Sequence, residues 1–376
     1  MMLWKVLKGQ LRALKNKTGR GEMNNMGSTE EKINSFEENY ANNRILLRDE
    51  IPLEIPLCIS FEASGICNFR CVMCHHGNLK NNLDKRARQN MPMPLLQKCV
   101  DELGDWCRRV GRKVKLIKLY SLGEPLVNPD IVSMVRIIKE ADICDVLEIT
   151  SNSSLLSESV AKGLVDYGLD IYRASIYSVD EKRNAEITQS AFRPETIRTN
   201  IMRMKEYRDK QGKEKPFISA KMIDSYSDEN ERFMQNYSGV ADEAYIDKIM
   251  DISGDGETLK RYYKDKSENA FRDEERTRIS KHYKSCRYPF THMTVTGNGQ
   301  VVICCADWNM ETLIGDVNNN TLQEIWNSKA LYDFRCMTIL TKGQGNELCK
   351  HCEIPLRGYS EDDIDGVDIN KFTYWK

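Results

Sequence analysis

The chain has 376 residues, of which 40% are hydrophobic, and this can bury one large domain and a smaller one. Its 55 basic and 56 acidic residues give a formal charge of −1, so no global field would gather a nucleic acid. The N-terminus shows no apolar secretion signal, and no stretch approaches the roughly 20 apolar residues of a membrane span. We therefore expect a soluble cytoplasmic protein, whose 13 cysteines serve metal binding or catalysis rather than disulfides.

The first 20 residues combine a leucine face with basic side chains and no acid. The leucines recur at helical spacing, at Leu3, Leu7, Leu11 and Leu14. Such a helix can lie on an anionic membrane surface, although an extension of this kind more often packs on its own domain. We predict a helical N-terminal extension, with contact to a membrane surface as the less favoured alternative.

Six short apolar runs alternate with helical patterns in the next part of the chain. The runs predict strands at Leu57–Phe61, Val114–Tyr120, Val146–Thr150, Asp170–Ile176, Pro216–Ile223 and Glu243–Lys248. Between them, Asn128 before Pro129 predicts a helix N-cap, and Gly168 predicts the end of a helix that begins near Ser157. Pro194 predicts the start of another helix. The alternation indicates an α/β fold with a parallel sheet, a partial (β/α)6 TIM-like barrel, with function at the carboxyl ends of the strands.

Three cysteines follow the first predicted strand at C-x3-C-x2-C spacing: Cys67, Cys71 and Cys74. A cubane iron–sulfur cluster with only three protein ligands keeps one iron open to an external molecule. A structural zinc site would instead need a fourth Cys or His. His75 and His76 follow directly, so zinc remains an alternative here.

The triplet resembles the signature of the radical S-adenosylmethionine (SAM) superfamily. The resemblance implies a [4Fe–4S] cluster whose open iron binds SAM, and reductive cleavage of SAM to a 5′-deoxyadenosyl radical that abstracts hydrogen from a substrate. It also places Met73 beside the adenine of SAM. An electron donor such as flavodoxin or ferredoxin is implied as a partner.

The ends of later strands carry further likenesses to this family. Leu122-Gly123-Glu124-Pro125 resembles its G-G-E-P element, with a leucine in place of the first glycine. The resemblance implies that Gly123 and Glu124 belong to the SAM-binding site and that Glu124 receives the SAM amino group. Asn152 and Ser175 resemble positions that touch the methionyl and ribose parts of SAM. Polar residues of these types are also ordinary turn formers at strand ends.

A second cysteine group lies beyond a charge-rich connector. Its members are Cys286, Cys304, Cys349 and Cys352. A hairpin of Met293–Thr296 and Gln300–Cys304 around Asn298-Gly299 would return the chain toward the first of them. Thr321 and Glu324 form a capping-box pattern, which predicts one helix carrying Trp326 and Leu331.

This second group resembles the SPASM and Twitch extensions of radical SAM enzymes, which hold auxiliary four-iron clusters. No cysteine follows Cys352, so the resemblance implies one auxiliary [4Fe–4S] cluster, as in the Twitch arrangement of aminocyclitol dehydrogenases. Cys305 could replace Cys304 as a ligand, and Cys336 is a spare or a core thiol. Zinc is the alternative for these four cysteines.

We therefore divide the chain into an N-terminal helical extension (1–50), a radical SAM core (51–255), a charged connector (256–285), an auxiliary cluster domain (286–356) and a tail (357–376). The predicted function is hydrogen abstraction from a small polyhydroxylated molecule, a sugar, nucleotide sugar or aminocyclitol, that ends in dehydrogenation. Peptide maturation and a redox-neutral elimination or epimerisation are the alternatives, and a non-catalytic metal-binding scaffold is a remote one. No catalytic acid or base can be assigned.

Overall fold

The computed structural model describes residues 45–75, 88–249, 257–264, 284–357 and 359–374. The described residues from Leu46 onward form one compact unit. The predicted N-terminal helix, His76 and most of the charged connector lie outside the described residues. None of the helices in the described ranges is long and apolar enough to cross a membrane.

Within these ranges nine strands form one sheet, in the order β6-β5-β4-β3-β2-β1-β7-β8-β9. The strands are β1 (Cys58–Phe61), β2 (Val114–Lys118), β3 (Cys144–Ser151), β4 (Ile171–Ile176), β5 (Phe217–Ile223), β6 (Glu243–Asp247), β7 (His292–Val295), β8 (Gln300–Val302) and β9 (Leu313–Asp316). Strands β1 to β6 pair in parallel with their sequence neighbours, the order that repeated βα units produce. All six predicted core strands are confirmed, with ends that differ by at most two residues.

The helices lie before, between and after these strands. They are α1 (Leu47–Glu50), α2 (Met93–Val110), α3 (Ile131–Ala141), α4 (Glu158–Asp166), α5 (Glu181–Thr188), α6 (Pro194–Lys210), α7 (Glu229–Tyr237), α8 (Glu257–Tyr263), α9 (Tyr288–Thr291), α10 (Leu322–Trp326) and α11 (Lys329–Thr341). The predicted start signals at Ser157 and Pro194 are confirmed, and Gly168 follows the end of α4 with φ of 76°.

Two predicted helix boundaries are wrong. Helix α3 begins after Asp130 rather than after Asn128, because residues 129 and 130 form a turn ahead of the helix. Asn128 Oδ1 accepts a hydrogen bond from the Asp130 amide at 3.0 Å, and its Nδ2 donates to the Ala63 carbonyl at 2.7 Å. Asn128 therefore holds the chain after β2 against the chain after β1.

The single helix predicted to carry Trp326 and Leu331 is two helices. The capping box of Thr321 and Glu324 is confirmed for α10, but that helix ends at Trp326. Ser328 then caps α11, since its Oγ accepts a hydrogen bond from the Leu331 amide at 3.3 Å.

The two faces of the sheet differ in chemistry. One face is apolar and fully buried, and it belongs to one hydrophobic core together with side chains of α2, α3, α4 and α6. Members of this face include Ile59, Ile117, Leu147, Ile149, Tyr172, Ala174, Ile218 and Met293. The residues between them carry hydroxyl and charged groups, for example Lys118, Glu148, Arg173, Ser175 and Lys221. A parallel sheet with one polar face fits a curled sheet whose inner side serves a polar cavity, since flat parallel sheets are usually apolar on both faces.

The C-terminal hairpin belongs to the same sheet. Strand β7 pairs in parallel with β1, with Ile59 opposite Met293, and then in antiparallel fashion with β8. The predicted turn at Asn298-Gly299 is confirmed, and Gly299 has φ of 94°, which favours glycine. The region with the second cysteine group is therefore joined to the core by backbone hydrogen bonds as well as by the chain.

Candidate active site

The three N-terminal cysteines lie on the loop that follows β1. The loop turns tightly at its end, where the Cys74 amide donates to the Cys71 carbonyl at 3.0 Å. Two further backbone bonds anchor it to α5, from Arg70 to the Thr188 carbonyl at 2.9 Å and from Val72 to the Ile187 carbonyl at 2.8 Å. Backbone hydrogen bonds thus fix the course of the loop that carries the three thiols.

The electrostatics of the triplet suit a bound cationic group. Burial raises the pKa of the Cys67 thiol to about 12, and Glu124 and Cys74 add to the shift. Burial also raises the pKa of Cys71 well above its usual value, with Cys74 and Cys67 contributing. The three thiols are therefore close enough to repel one another as thiolates, and such a set is stable in the thiolate form when a metal centre supplies positive charge.

Glu124 is a buried carboxylate in the next loop, only 3% exposed. Its Oε1 accepts hydrogen bonds from Ser151 Oγ at 2.7 Å and from the Leu126 amide at 3.0 Å, and its Oε2 accepts one from the Asn152 amide at 2.7 Å. Burial raises the pKa of Glu124 to about 7, although these hydrogen bonds lower it. A carboxylate held in this way can receive an ammonium group with little rearrangement.

Gly123 lets this loop approach the cysteine loop. A Cβ at position 123 would lie 2.0 Å from the Ser64 carbonyl oxygen and 2.8 Å from the Ile66 carbonyl oxygen, so any larger residue would push the two loops apart. The Glu124 amide donates to that same Ile66 carbonyl at 2.8 Å. Glycine is required here by close backbone contact.

Asn152 connects the end of β3 to the cysteine loop. Its Nδ2 donates to Asn68 Oδ1 at 2.9 Å, while Asn68 Nδ2 donates to Ser154 Oγ at 2.9 Å. Asn68 lies directly after the first cysteine of the triplet, and sequence reasoning did not select it. The structure therefore brings the predicted residues Glu124 and Asn152 together beside the triplet.

Met73 and Ser175 occupy different surroundings. Met73 is half-buried and packs against apolar residues near α5 and α8, in the company of Tyr177. Ser175 is half-buried on β4, opposite Lys221, on the polar face of the sheet. Tyr177, two residues after Ser175, lies near all three thiols of the triplet.

The polar face of the sheet carries a charged cluster that sequence reasoning also missed. Arg173 Nε donates to Glu148 Oε2 at 2.9 Å, and the Tyr120 hydroxyl donates to Glu148 Oε1. Lys118 lies beside them, with its Nζ 5.6 Å from the Tyr120 ring centroid. Each of these three strands has one charged residue on this face, Lys118 on β2, Glu148 on β3 and Arg173 on β4, beside apolar neighbours that point to the opposite face. A charged residue inside an otherwise apolar run was the signal for this cluster.

The four cysteines of the second group line one cavity. They are Cys286, Cys304, Cys349 and Cys352. The cavity has a volume of about 500 Å³, including the part continuous with solvent, and the remaining lining is largely apolar. Cys305 and Cys336 do not line it, so the structure distinguishes Cys304 from Cys305. Burial raises the pKa of Cys286 to about 11 and that of Cys349 and Cys352 to about 12.

A stacked ring pair connects the two cysteine regions. The His75 ring, directly after the triplet, lies on the Trp308 ring with centroids 3.7 Å apart and planes within 1° of parallel. Trp308 follows Cys304 by four positions. Among the described residues, no group of three or more His, Cys, Asp or Glu converges closely enough to hold a single metal ion.

Two family models match the chain. The radical SAM superfamily model matches residues 61–235, and the model of the SPASM iron–sulfur cluster-binding domain matches residues 286–353. The chain contains a radical SAM domain followed by a SPASM domain. The first domain implies a [4Fe–4S] cluster with SAM, and the second implies auxiliary iron–sulfur clusters.

Curated relatives match part of the chain. The chain is 25% identical over 162 residues to the tungsten-containing aldehyde ferredoxin oxidoreductase cofactor-modifying protein of Pyrococcus furiosus, covering 43% of this chain and 42% of that protein. It is 30% identical over 151 residues to a probable GTP 3′,8-cyclase of Methanopyrus kandleri, covering 40% and 44%. The chain thus matches less than half the length of these relatives.

Solved structures with a similar fold cover most of the chain. Streptococcus suis SuiB bound to its precursor peptide SuiA has a TM-score of 0.56 at 17% identity, covering 98% of this chain and 88% of that chain. The protein anSMEcpe with bound AdoMet has a TM-score of 0.54 at 13% identity, covering 84% and 93%. BtrN in complex with AdoMet and 2-DOIA has a TM-score of 0.51 at 16% identity, covering 83% and 96%. At these identities the likeness is one of fold.

The residues present fit the implied groups. Three thiols on a tightly held loop can carry a cluster with one open iron, and the buried Glu124 lies at the neighbouring strand end with a hydrogen-bonded carboxylate. The cavity with four thiols suits a cluster that is ligated on every iron.

Proposed function

We propose that the protein is a radical SAM enzyme that abstracts hydrogen from a small polyhydroxylated substrate and dehydrogenates it. The observation that carries this proposal is the polar, charged face of the sheet next to the strand ends that surround the triplet. Such a face offers hydrogen bonds to hydroxyl groups, and in a partly buried site they contribute to both affinity and orientation.

The residues of the first site have separate roles in this proposal. The triplet thiols hold the cluster, and the Glu124 carboxylate holds the SAM ammonium group, with Ser151 and the Asn152 amide keeping that carboxylate in place. Gly123 keeps the two loops close, while Met73 lies at the adenine and Ser175 at the ribose. When bound, the two iron–sulfur clusters and SAM would supply a 5′-deoxyadenosyl radical and a one-electron acceptor.

We infer that the second site holds one auxiliary cluster with four protein ligands. All four cysteines face the same cavity, so no iron would be left for the substrate. The role that remains for such a cluster is electron transfer, and acceptance of an electron favours net oxidation of an alcohol.

We propose that the protein works in the cytoplasm. No disulfide joins any two of the thirteen cysteines, which supports a reducing compartment and hence the cytoplasm. We propose flavodoxin or ferredoxin as the electron donor.

The test is product analysis with anaerobically reconstituted protein. We expect a product lighter than the substrate by two hydrogens, one SAM consumed per turnover, and deuterium moved from the oxidised carbon into 5′-deoxyadenosine. A product of unchanged mass, or one lighter by water or ammonia, would refute dehydrogenation in favour of epimerisation or elimination. A modified peptide as the product would instead establish peptide maturation.

A further inference from the structure

The charged cluster on the polar face contains a cation without an ion-pair partner among the described residues. Lys118 is half-buried on β2, in register with Ser60 on β1 and Glu148 on β3. The nearby carboxylate of Glu148 is already engaged by Arg173 Nε at 2.9 Å and by the Tyr120 hydroxyl. The Lys118 ammonium group lies over the Tyr120 ring, with Nζ 5.6 Å from the ring centroid.

Lys118 is charged at neutral pH. Burial alone would lower its pKa, but the surrounding Tyr120, Cys58, Cys305 and Glu148 raise it well above the usual value. Keeping an ammonium group charged in a partly buried position costs free energy when the nearby carboxylate already accepts hydrogen bonds from other groups. A bound anion would offset that cost.

The surroundings of Lys118 are suited to a polar guest. Ser219, in register with Arg173, is buried, and its hydroxyl has no hydrogen-bond partner within the described residues. Arg173 Nη1 also reaches the Tyr245 hydroxyl at 3.4 Å. Ser175 lies two residues farther along β4 on the same face, roughly 7 Å away at the usual rise per residue. The polar groups from Ser175 to Arg173 and Lys118 therefore span a length comparable to that of a sugar.

We propose that Lys118 binds an anionic group of the substrate, a phosphate or a carboxylate, and that it selects against cationic substrates such as aminocyclitols. This inference deepens the proposed function, on which it rests for the position of the reaction. An ammonium group next to Lys118 and Arg173 would meet like charge, and Glu148 is already neutralised by Arg173. An anion would gain a charge-assisted hydrogen bond from Lys118.

The test uses the reconstituted, SAM-loaded protein and a series of probes that differ in charge. The probes are glucose 1-phosphate, glucuronate, glucose and glucosamine, and their dissociation constants are measured by calorimetry or ligand-observed NMR. We expect at least one of the two anions to bind about tenfold or more tightly than glucose, and glucosamine to bind most weakly. Comparison of the two anions identifies phosphate or carboxylate as the preferred group.

Three variants test whether the charge of the Lys118 side chain, rather than a change in folding, causes the preference for anions. Lys118→Met should remove the preference for the anion, while Lys118→Arg should retain most of it. Lys115→Met is the matched control on the same strand, because Lys115 is exposed and pairs with Asp145 at 2.8 Å; it should bind the probes as the wild type does. SAM affinity should be unchanged in all three.

Several results would overturn the inference. The wild type and Lys118→Met could bind the anions equally tightly, the wild type could bind neither anion, or glucosamine could bind most tightly. Loss of SAM affinity in Lys118→Met would also overturn it, because that result would assign the lysine to SAM. Failure of the proposed dehydrogenation would appear in product mass and leave the charge preference measurable. The two proposals can therefore fail independently.

Discussion

Replacement of Glu124 by glutamine tests how the protein holds SAM. The carboxylate accepts three hydrogen bonds, from the Ser151 hydroxyl and from the amides of Leu126 and Asn152. A glutamine side chain has only one acceptor oxygen, and its NH2 group takes the place of the other carboxylate oxygen. That NH2 group would face the Leu126 amide in one orientation and the Asn152 amide in the other. The Ser151 hydroxyl can reverse its hydrogen bond, but a backbone amide cannot. We therefore expect the free energy of unfolding to fall by about 1–3 kcal/mol.

The effect on SAM should be separate from this loss of stability. A hydrogen bond between charged groups contributes about 1.5–3 kcal/mol, and its loss corresponds to about 10- to 150-fold weaker SAM binding. The cysteines are unchanged in Glu124→Gln, so its iron content should equal that of the wild type.

The pH dependence of SAM binding gives a second measure. Burial raises the pKa of Glu124 to about 7, so in the SAM-free protein a proton competes with the SAM ammonium near neutral pH. SAM affinity should rise from about pH 6 to about pH 8 in the wild type as the carboxyl loses that proton. The glutamine variant cannot ionise and should lack this rise.

The assay is equilibrium binding of SAM to anaerobically reconstituted protein, with iron measured on the same samples. Glu158→Gln is a suitable control, because Glu158 is exposed and pairs with Lys162 on the surface of α4. Normal SAM affinity in Glu124→Gln would refute the role given to this carboxylate. Loss of iron in that variant would show that its effect is on the cluster loop instead.

Three further predictions concern the metal sites and the fold. The reconstituted protein should hold about eight irons per chain, and alanine at the three triplet cysteines should remove half of them and all SAM cleavage; zinc at the second site in oxygen-free preparations would contradict this. Joint replacement of Cys349 and Cys352 by alanine should abolish the oxidised product while uncoupled SAM cleavage persists, and continued product formation would exclude the proposed electron transfer. Burial alone would raise the pKa of Asp170, but hydrogen bonds from Lys139 and Lys215 lower it below its usual value. The ionised Asp170 therefore stabilises the protein above about pH 4, and this stabilisation is lost as the pH falls through the lowered pKa. In urea titrations, Asp170→Asn should be less stable than the wild type at neutral pH. The two should differ less near about pH 3.

Local patterns in the sequence were sufficient to predict the strands and to select the two groups of cysteines as candidate sites. Each core strand is a short apolar run with turn residues at its ends, and the triplet spacing is visible without any tertiary information. The break between α10 and α11 was harder to predict, because Ser328 occurs within a continuous helical pattern and acts as a cap only once the chain has turned.

The contacts that depend on tertiary structure could not be predicted. Asn68 and Lys118 are ordinary residues in the sequence. The position of Lys118 follows from the pairing of β2 with β3, and that of Asn68 from its hydrogen bond to Asn152 after β3. Pairing of β1 with β7 joins Ile59 to Met293, residues so far apart in the chain that no local pattern connects them.

The pairing of β1 with both β2 and β7 has a consequence for modularity. Without the residues from 286 onward, β1 would be an edge strand, and the backbone groups of Cys58–Phe61 that now bond to β7 would be unpaired. An exposed apolar edge of this kind invites association with other chains. The radical SAM domain expressed alone should therefore aggregate, and a C-terminal domain exchanged between relatives would have to supply an equivalent strand beside β1.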